Sequence, residues 1–227
     1  MTLSVCLYFL SVVLLTVYIL MEFNANIVMN IYTRMALLVS VCICWYNAGK
    51  IYASLFSGKK ANRIMKLTLS VLLLLYVMLL LTLTLFDEFF GRSGFSAFEW
   101  DRELLVDYLE ESFNFIPFAT IFLYFKAIFN ADISFGVFAV NIFGNIIAFM
   151  PFGFFLPLLI KPLREYGRFI LIVLSAILMI ELLQFVFLTG SCDIDDVLLN
   201  SLGASLAFMF FAKQKVRMQL RKIMYEP

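Results

Sequence analysis

Six times between Leu3 and Ala212 the chain runs for close to twenty residues with hardly a charge, and nothing else constrains its fold as strongly. A helix needs ~20 mostly apolar residues to cross the hydrocarbon core of a bilayer. Lipid offers no partner for a bare backbone N–H or C=O, so runs of this length fold as helices. The candidate spans are Leu3–Met21, Ile27 to about Tyr46, Leu67–Phe86, Val137–Ile160, Phe169–Leu188 and the short Val197–Ala212. The second is the weakest, because Asn30 and Arg34 interrupt its start; Arg34 is placed to snorkel to the nearby surface. Pro151 and Pro157 mark the fourth as kinked or broken. The first span lacks the charged leader and small-residue cleavage site of a signal peptide and reads as a membrane helix. The expected fold class is all-α, a polytopic membrane helix bundle of about six transmembrane helices.

Lysine and arginine placement sets the expected orientation, because basic residues flanking spans stay on the cytoplasmic side. With both termini cytoplasmic, inner segments hold Lys50, Lys59, Lys60, Arg63, Lys66, Lys161, Arg164, Arg168 and the basic tail from Lys213. Of the 17 basic residues, only Arg34, Arg92, Arg102 and Lys126 then lie outside. Arg164 and Arg168 read most simply as topology determinants. Asp87–Phe135 is the longest non-spanning piece. Within it, Phe98–Phe113 carries charge on one helical face and apolar residues on the other, as a helix on the outer surface would. Asn114-Phe115-Ile116-Pro117-Phe118 breaks that helix, and Ala119–Phe129 is too short to span, which suits an interfacial or re-entrant segment.

Composition excludes several chemistries. The chain contains no histidine, the commonest general base and zinc ligand. A net charge of +1 gives no field for nucleic acid, and no nucleic-acid partner is expected. Cys6, Cys42 and Cys44 lie in apolar runs and Cys192 stands alone, so the cysteines read as packing residues.

The exceptional stretch is Asp193-Ile194-Asp195-Asp196, between the last two spans. A carboxylate at membrane depth costs roughly 2.5–3.5 kcal/mol on insertion scales, so a polar network or a function must offset it. One aspartate could simply cap the last helix; three exceed that need. The expected topology brings other polar residues to the same outer end. Asn141 and Asn145 are four apart and share a helix face, as do Asp196 and Asn200; Glu181 and Gln184 are three apart. Glu181 sits roughly 10 Å below the outer end of its helix, deep enough to demand a proton, an amide or a cation. The three amides Asn141, Asn145 and Asn200 have an alternative role as interhelical hydrogen-bond glue. Gly144, Gly153 and Gly203 are expected to let helices approach closely, and Phe149, Phe152, Phe154 and Phe155 to face lipid or core. Three helices thus outline a polar pocket opening outward.

Four linked motifs resemble the VanZ-like family of membrane proteins: Asn114 to Phe118, Gly144 to Pro157, Glu181 to Gln184, and Asp193 to Gly203, in matching order and spacing. The resemblance covers about Leu67–Ala212. It leaves residues 1–66 as an N-terminal two-helix extension and 213–227 as a basic cytoplasmic tail. Many relatives carry a basic residue just before the acidic stretch; Thr189-Gly190-Ser191-Cys192 has none. The resemblance implies a multi-pass protein of the bacterial cell membrane that reduces susceptibility to glycopeptide antibiotics, lipoglycopeptides such as teicoplanin in particular.

Two principal readings follow. In the first, the protein is a non-enzymatic component of the cell envelope. Its partners are membrane lipid and a lipid-linked cell-wall precursor or lipoglycopeptide, held by Asn114, Asn141, Asn145, Glu181, Gln184, Asp193, Asp195, Asp196 and Asn200. In the second it is a metal-assisted enzyme acting on a lipid phosphate or headgroup. Glu181, Asp195 and Asp196 are then the catalytic candidates. Asp193, Asp195 and Asp196 are the candidate ligands of a divalent cation, the one cofactor such oxygens would suit. Against it, no lysine or arginine lies near the pocket to neutralise phosphate. A weaker third reading, a proton-coupled carrier, rests on Glu181 and the proline-broken span; no inverted repeat supports it.

Overall fold

The computed structural model describes residues 1–22, 30–85 and 102–213. They form nine α-helices and one pair of two-residue strands. Six helical stretches are long and apolar enough to cross a membrane, so the all-α, polytopic architecture expected from hydropathy is the one the chain adopts. The chain divides into two compact units, Met1–Tyr76 and Val77–Lys213.

The first unit holds α1 (Thr2–Glu22), α2 (Ile31–Ser54) and most of α3 (Gly58–Leu85). Small residues let α1 and α2 pack tightly: Ala48 and Ala53 have no exposed surface, and Ser4 Oγ donates to the Ala48 carbonyl at 2.8 Å. Tyr8 meets Trp45 edge-on with centroids 4.9 Å apart. Asn30 does not interrupt α2 but starts it, its side chain accepting the Thr33 N–H at 2.8 Å as an N-cap. The helix also runs on past Tyr46, with Asn47 donating its side-chain N–H to the Ile43 carbonyl at 2.8 Å. Likewise α3 begins at Gly58 rather than Leu67. Hydropathy registers only the apolar stretch, whereas the helix continues through Lys59, Lys60, Arg63 and Lys66.

The second unit continues with α4 (Arg102–Glu111), β1 (Phe113–Asn114), α5 (Ala119–Phe129), α6 (Phe135–Ala139), α7 (Asn145–Leu159), α8 (Tyr166–Phe187), β2 (Cys192–Asp193) and α9 (Ile194–Ala212). Of the helix expected over 98–113, α4 forms Arg102–Glu111; residues 98–101 lie outside the described residues, as does the tail beyond Lys213. The non-spanning apolar segment is α5. The fourth span is not broken at its prolines. Pro151 and Pro157 sit inside α7, and the irregularity is instead a π-helical turn, Val140–Gly144, joining α6 to α7. Each proline removes a single N–H, which a buried helix tolerates when neighbours take up the freed carbonyls. At the far end Arg164 Nε donates to the Pro157 carbonyl at 3.0 Å.

The most extensive interhelical packing in this unit is between α7 and α9. A Cβ on Gly203 would fall onto the Ile146 carbonyl, and one on Gly153 would stand 2.5 Å from the Ala204 carbonyl oxygen. Both glycines are therefore required by close approach. Gly144 is not: a Cβ there meets nothing within 4 Å, so the packing role expected of it is absent. Phe149 and Phe152 are buried and stack on each other at 5.0 Å, while Phe154 and Phe155 are half-buried.

Candidate functional site

Two distant stretches of chain meet through main-chain bonds. β1 pairs in parallel with β2, placing Phe113 opposite Cys192 and Asn114 opposite Asp193. The Cys192 N–H donates to the Ser112 carbonyl at 2.9 Å. Ahead of this pair, α8 closes with Leu188 in the left-handed region and Gly190 at φ 64°, which turns the chain back sharply enough to start α9. The same corner caps α3. Gln184 Nε2 donates to the Thr84 carbonyl at 3.2 Å, and Thr189 Oγ1 to the Leu85 carbonyl at 3.3 Å, satisfying helix-end acceptors.

Each aspartate then takes a different direction, because successive residues around a helix start are rotated by about 100°. Asp193 is the N-cap of α9: its Oδ1 accepts the Asp195 N–H at 2.8 Å and the Asn114 amide at 3.0 Å. Asn114 also donates to Thr120 Oγ1 at 3.0 Å and accepts the Ile116 N–H at 2.9 Å. Asp195 is fully buried and reaches α5, accepting the N–H groups of Phe118 and, at 3.0 Å, Ile121. Phe118 holds the left-handed conformation at φ 68°, and α5 has no side-chain cap from its own N-cap residue. The Asp195 carboxylate supplies that cap from another helix. Asp196 turns the opposite way and accepts the amide of Asn145, which also donates to the Asn141 carbonyl.

Glu181 is 7% exposed, and its Oε2 accepts the Asp193 N–H at 3.1 Å. A backbone amide is thus one partner that meets the demand the depth of Glu181 creates. Beside it lies a cavity of about 30 Å³. Its polar walls are Asn145 from α7, Glu181 and Gln184 from α8, Asp196 and Asn200 from α9, and Thr84 from α3. Leu80, Ala148, Phe149, Ile177 and Ile180 complete it. Gln184 Oε1 and Asn200 Oδ1 are buried there without a hydrogen-bond partner. An acceptor left in that state costs about 1–3 kcal/mol until a donor reaches it.

Five of the residues read from the sequence thus share one cavity: Asn145, Glu181, Gln184, Asp196 and Asn200. Asn114, Asp193 and Asp195 form a network next to it, joined through the Asp193 N–H. Asn141 belongs to neither, and its amide donates to the Val137 carbonyl of its own helix at 2.8 Å. The equal-face argument fails for Asn141 because the π turn changes the angular step between it and Asn145. Nor do Asp193, Asp195 and Asp196 converge as one ligand set. Among the described residues, no three His, Cys, Asp or Glu side chains are grouped to hold a metal ion. Sequence reasoning missed the α3 wall and the amides of Phe118 and Ile121. Neither had a signal in the sequence: the left-handed turn at Phe118 falls on a residue type that does not announce it, and Thr84 lies in a plain apolar run.

The carboxylates leave an electrostatic mark on the two titratable groups around them that lie outside the spans. Burial first, then the charges of Asp196 and Asp193, raise the Tyr124 hydroxyl. The Cys192 thiol is pushed from 9.0 up to about 11, by burial first and then by Glu181, Asp193 and Asp196. Since the thiolate is the nucleophile, alkylation of Cys192 by iodoacetamide at pH 8 should run about 100-fold slower than for an unshifted thiol. Its rate should still be climbing above pH 9, and Asp196→Asn should move the profile to lower pH. A rate that levels off near pH 9 would contradict the arrangement.

The VanZ/LLP1 family profile matches residues 72–216. Protein VanZ of Enterococcus faecium is 30% identical over 79 residues, covering 35% of this chain and 48% of that protein, about half its length. No solved structure matches. The profile spans well over half of the chain and takes in α5 through α9, with the cavity and the network beside it; the chain belongs to the VanZ/LLP1 family.

Proposed function

We propose that the chain is a cell-envelope membrane protein that lowers susceptibility to glycopeptide antibiotics, teicoplanin and related lipoglycopeptides above all. It does so by holding a lipid-linked cell-wall component in the cavity between α3, α7, α8 and α9. The observation that carries this reading is the pair of buried, unpartnered amide oxygens of Gln184 and Asn200 in a cavity with apolar walls. A polar floor with apolar sides fits the junction of a headgroup and its lipid chain. The basic residues Lys161, Arg164 and Arg168 follow α7 and precede or open α8, at the ends remote from the acidic corner. Positive-inside orientation then turns the cavity outward, with both termini in the cytoplasm. Among the described residues, the metal-assisted alternative finds no converging set of ligands.

The test is teicoplanin susceptibility in a sensitive Gram-positive host expressing the wild-type chain or Asn200→Leu. Wild type should raise the inhibitory concentration, and the variant, at equal membrane level, should not. An unchanged inhibitory concentration with wild type present would remove the resistance role.

A further inference from the structure

We infer that the cavity receives a primary ammonium group carried on an apolar stem, an inference that rests on the proposed reading of this cavity as a ligand site and names the chemistry it selects. Six oxygen-bearing side chains line it: the carboxylates of Glu181 and Asp196, the amides of Asn145, Gln184 and Asn200, and the hydroxyl of Thr84. Gln184 is 3% and Asn200 6% exposed, and the side-chain oxygen of each has no donor. Gln184 cannot satisfy the need by turning over, because its Nε2 is engaged by the Thr84 carbonyl. Among the described residues, none lining the cavity is lysine or arginine. A phosphate would meet the Glu181 and Asp196 carboxylates and two unpartnered amide oxygens with no lysine or arginine in the lining to offset its charge, which is destabilising. An ammonium supplies three N–H donors and no acceptor, the complement of this wall. The space of about 30 Å³ takes the ammonium head itself, beside Leu80, Phe149, Ile177 and Ile180, and its open side lets the carbon stem pass out. The carboxylate charges that add to burial in raising Cys192 and Tyr124 have the sign such a guest requires.

Decylammonium, decyltrimethylammonium, decyl glucoside and decyl phosphate, titrated into the protein in zwitterionic nanodiscs, read the selectivity directly. Decylammonium should bind tightest. The trimethyl analogue keeps the charge but has no N–H, and should be weaker by about 10-fold or more. Equal binding of those two, tightest binding by the glucoside or the phosphate, or no saturable binding at all would each overturn the inference. Asn200→Leu, which removes one acceptor and adds no charge, should narrow the gap between the two cations; an unchanged gap in a folded variant counts against it. Thermal midpoint and gel-filtration profile establish that the variant is folded, and the wild-type panel stands if it is not. Adding phosphatidylethanolamine or a lipid-linked precursor with a free lysine amine to the nanodiscs separates the two sources, since the true one displaces decylammonium. Displacement by neither overturns a membrane source. Ammonium selectivity without any effect on teicoplanin susceptibility would remove the resistance role alone; loss of both selectivity and susceptibility effects would remove the cavity as a ligand site.

Discussion

Gly203→Leu should lower the stability of the second unit by about 3 kcal/mol or more. The reason is what the new atoms would meet. Even a Cβ at this position falls onto the Ile146 carbonyl, with the Ile146 Cα only 3.1 Å away. A flexible side chain could swing aside, but backbone cannot without moving α7 from α9, the main packing of this unit. In detergent the thermal midpoint should fall by roughly 6–12 °C, given about 2–4 °C per kcal/mol for a chain of this size. Gly144→Ala is the matched control. Nothing lies within 4 Å of its Cβ position, so its effect should stay within about 1 kcal/mol, the scale of helix propensity. Similar losses in both variants would mean that α7 and α9 do not approach as described.

Asp195→Ala should cost about 3–5 kcal/mol, with the damage centred on residues 113–121. Its carboxylate has no exposed surface and satisfies two main-chain donors, Phe118 and Ile121, at the start of α5. Deleting it leaves both amides buried and unbonded, and removes the group that holds Phe118 in a left-handed conformation. Asp195→Asn should cost about half as much, since one acceptor oxygen remains while an NH₂ group faces a donor. Limited proteolysis should therefore cut the Phe113–Ile121 segment fastest in Asp195→Ala and more slowly in Asp195→Asn. Asp196→Asn should leave that segment protected, because Asp196 bonds to Asn145 instead. Equal protection of all three variants would refute the division of labour among the aspartates.

That division also marks how far the sequence could be read. Helix count followed from lipid's refusal of unbonded backbone, and α5 was recognisable because eleven residues cannot span the core. The convergence of Asn145, Glu181, Gln184, Asp196 and Asn200 followed from three- and four-residue spacing once the helices were oriented. Spacing could not show that Asp193, Asp195 and Asp196 do three different things, because it treats a helix start as a cluster rather than a turning frame. Nor could it show the β1–β2 pair, whose two residues per strand have no periodicity. Asn141 was misplaced because a π turn changes the angular step between it and Asn145. The prolines of α7 signalled a break that packing made unnecessary, and Thr84 entered the site through a wall with no polar pattern.

The proposed role requires that the polar chamber between α3, α7, α8 and α9 open on the side opposite Lys161. A chain with Cys6, Cys42, Cys44 and Cys192 replaced, and a single new cysteine at Ala148 in the cavity wall or at the exposed Lys161, tests it in intact cells. A charged, membrane-impermeant thiosulfonate applied outside should modify Ala148→Cys, and should reach Lys161→Cys only after the membrane is permeabilised. Modification of Lys161→Cys from outside, or an Ala148→Cys that stays unreactive from both sides in folded protein, would contradict the account.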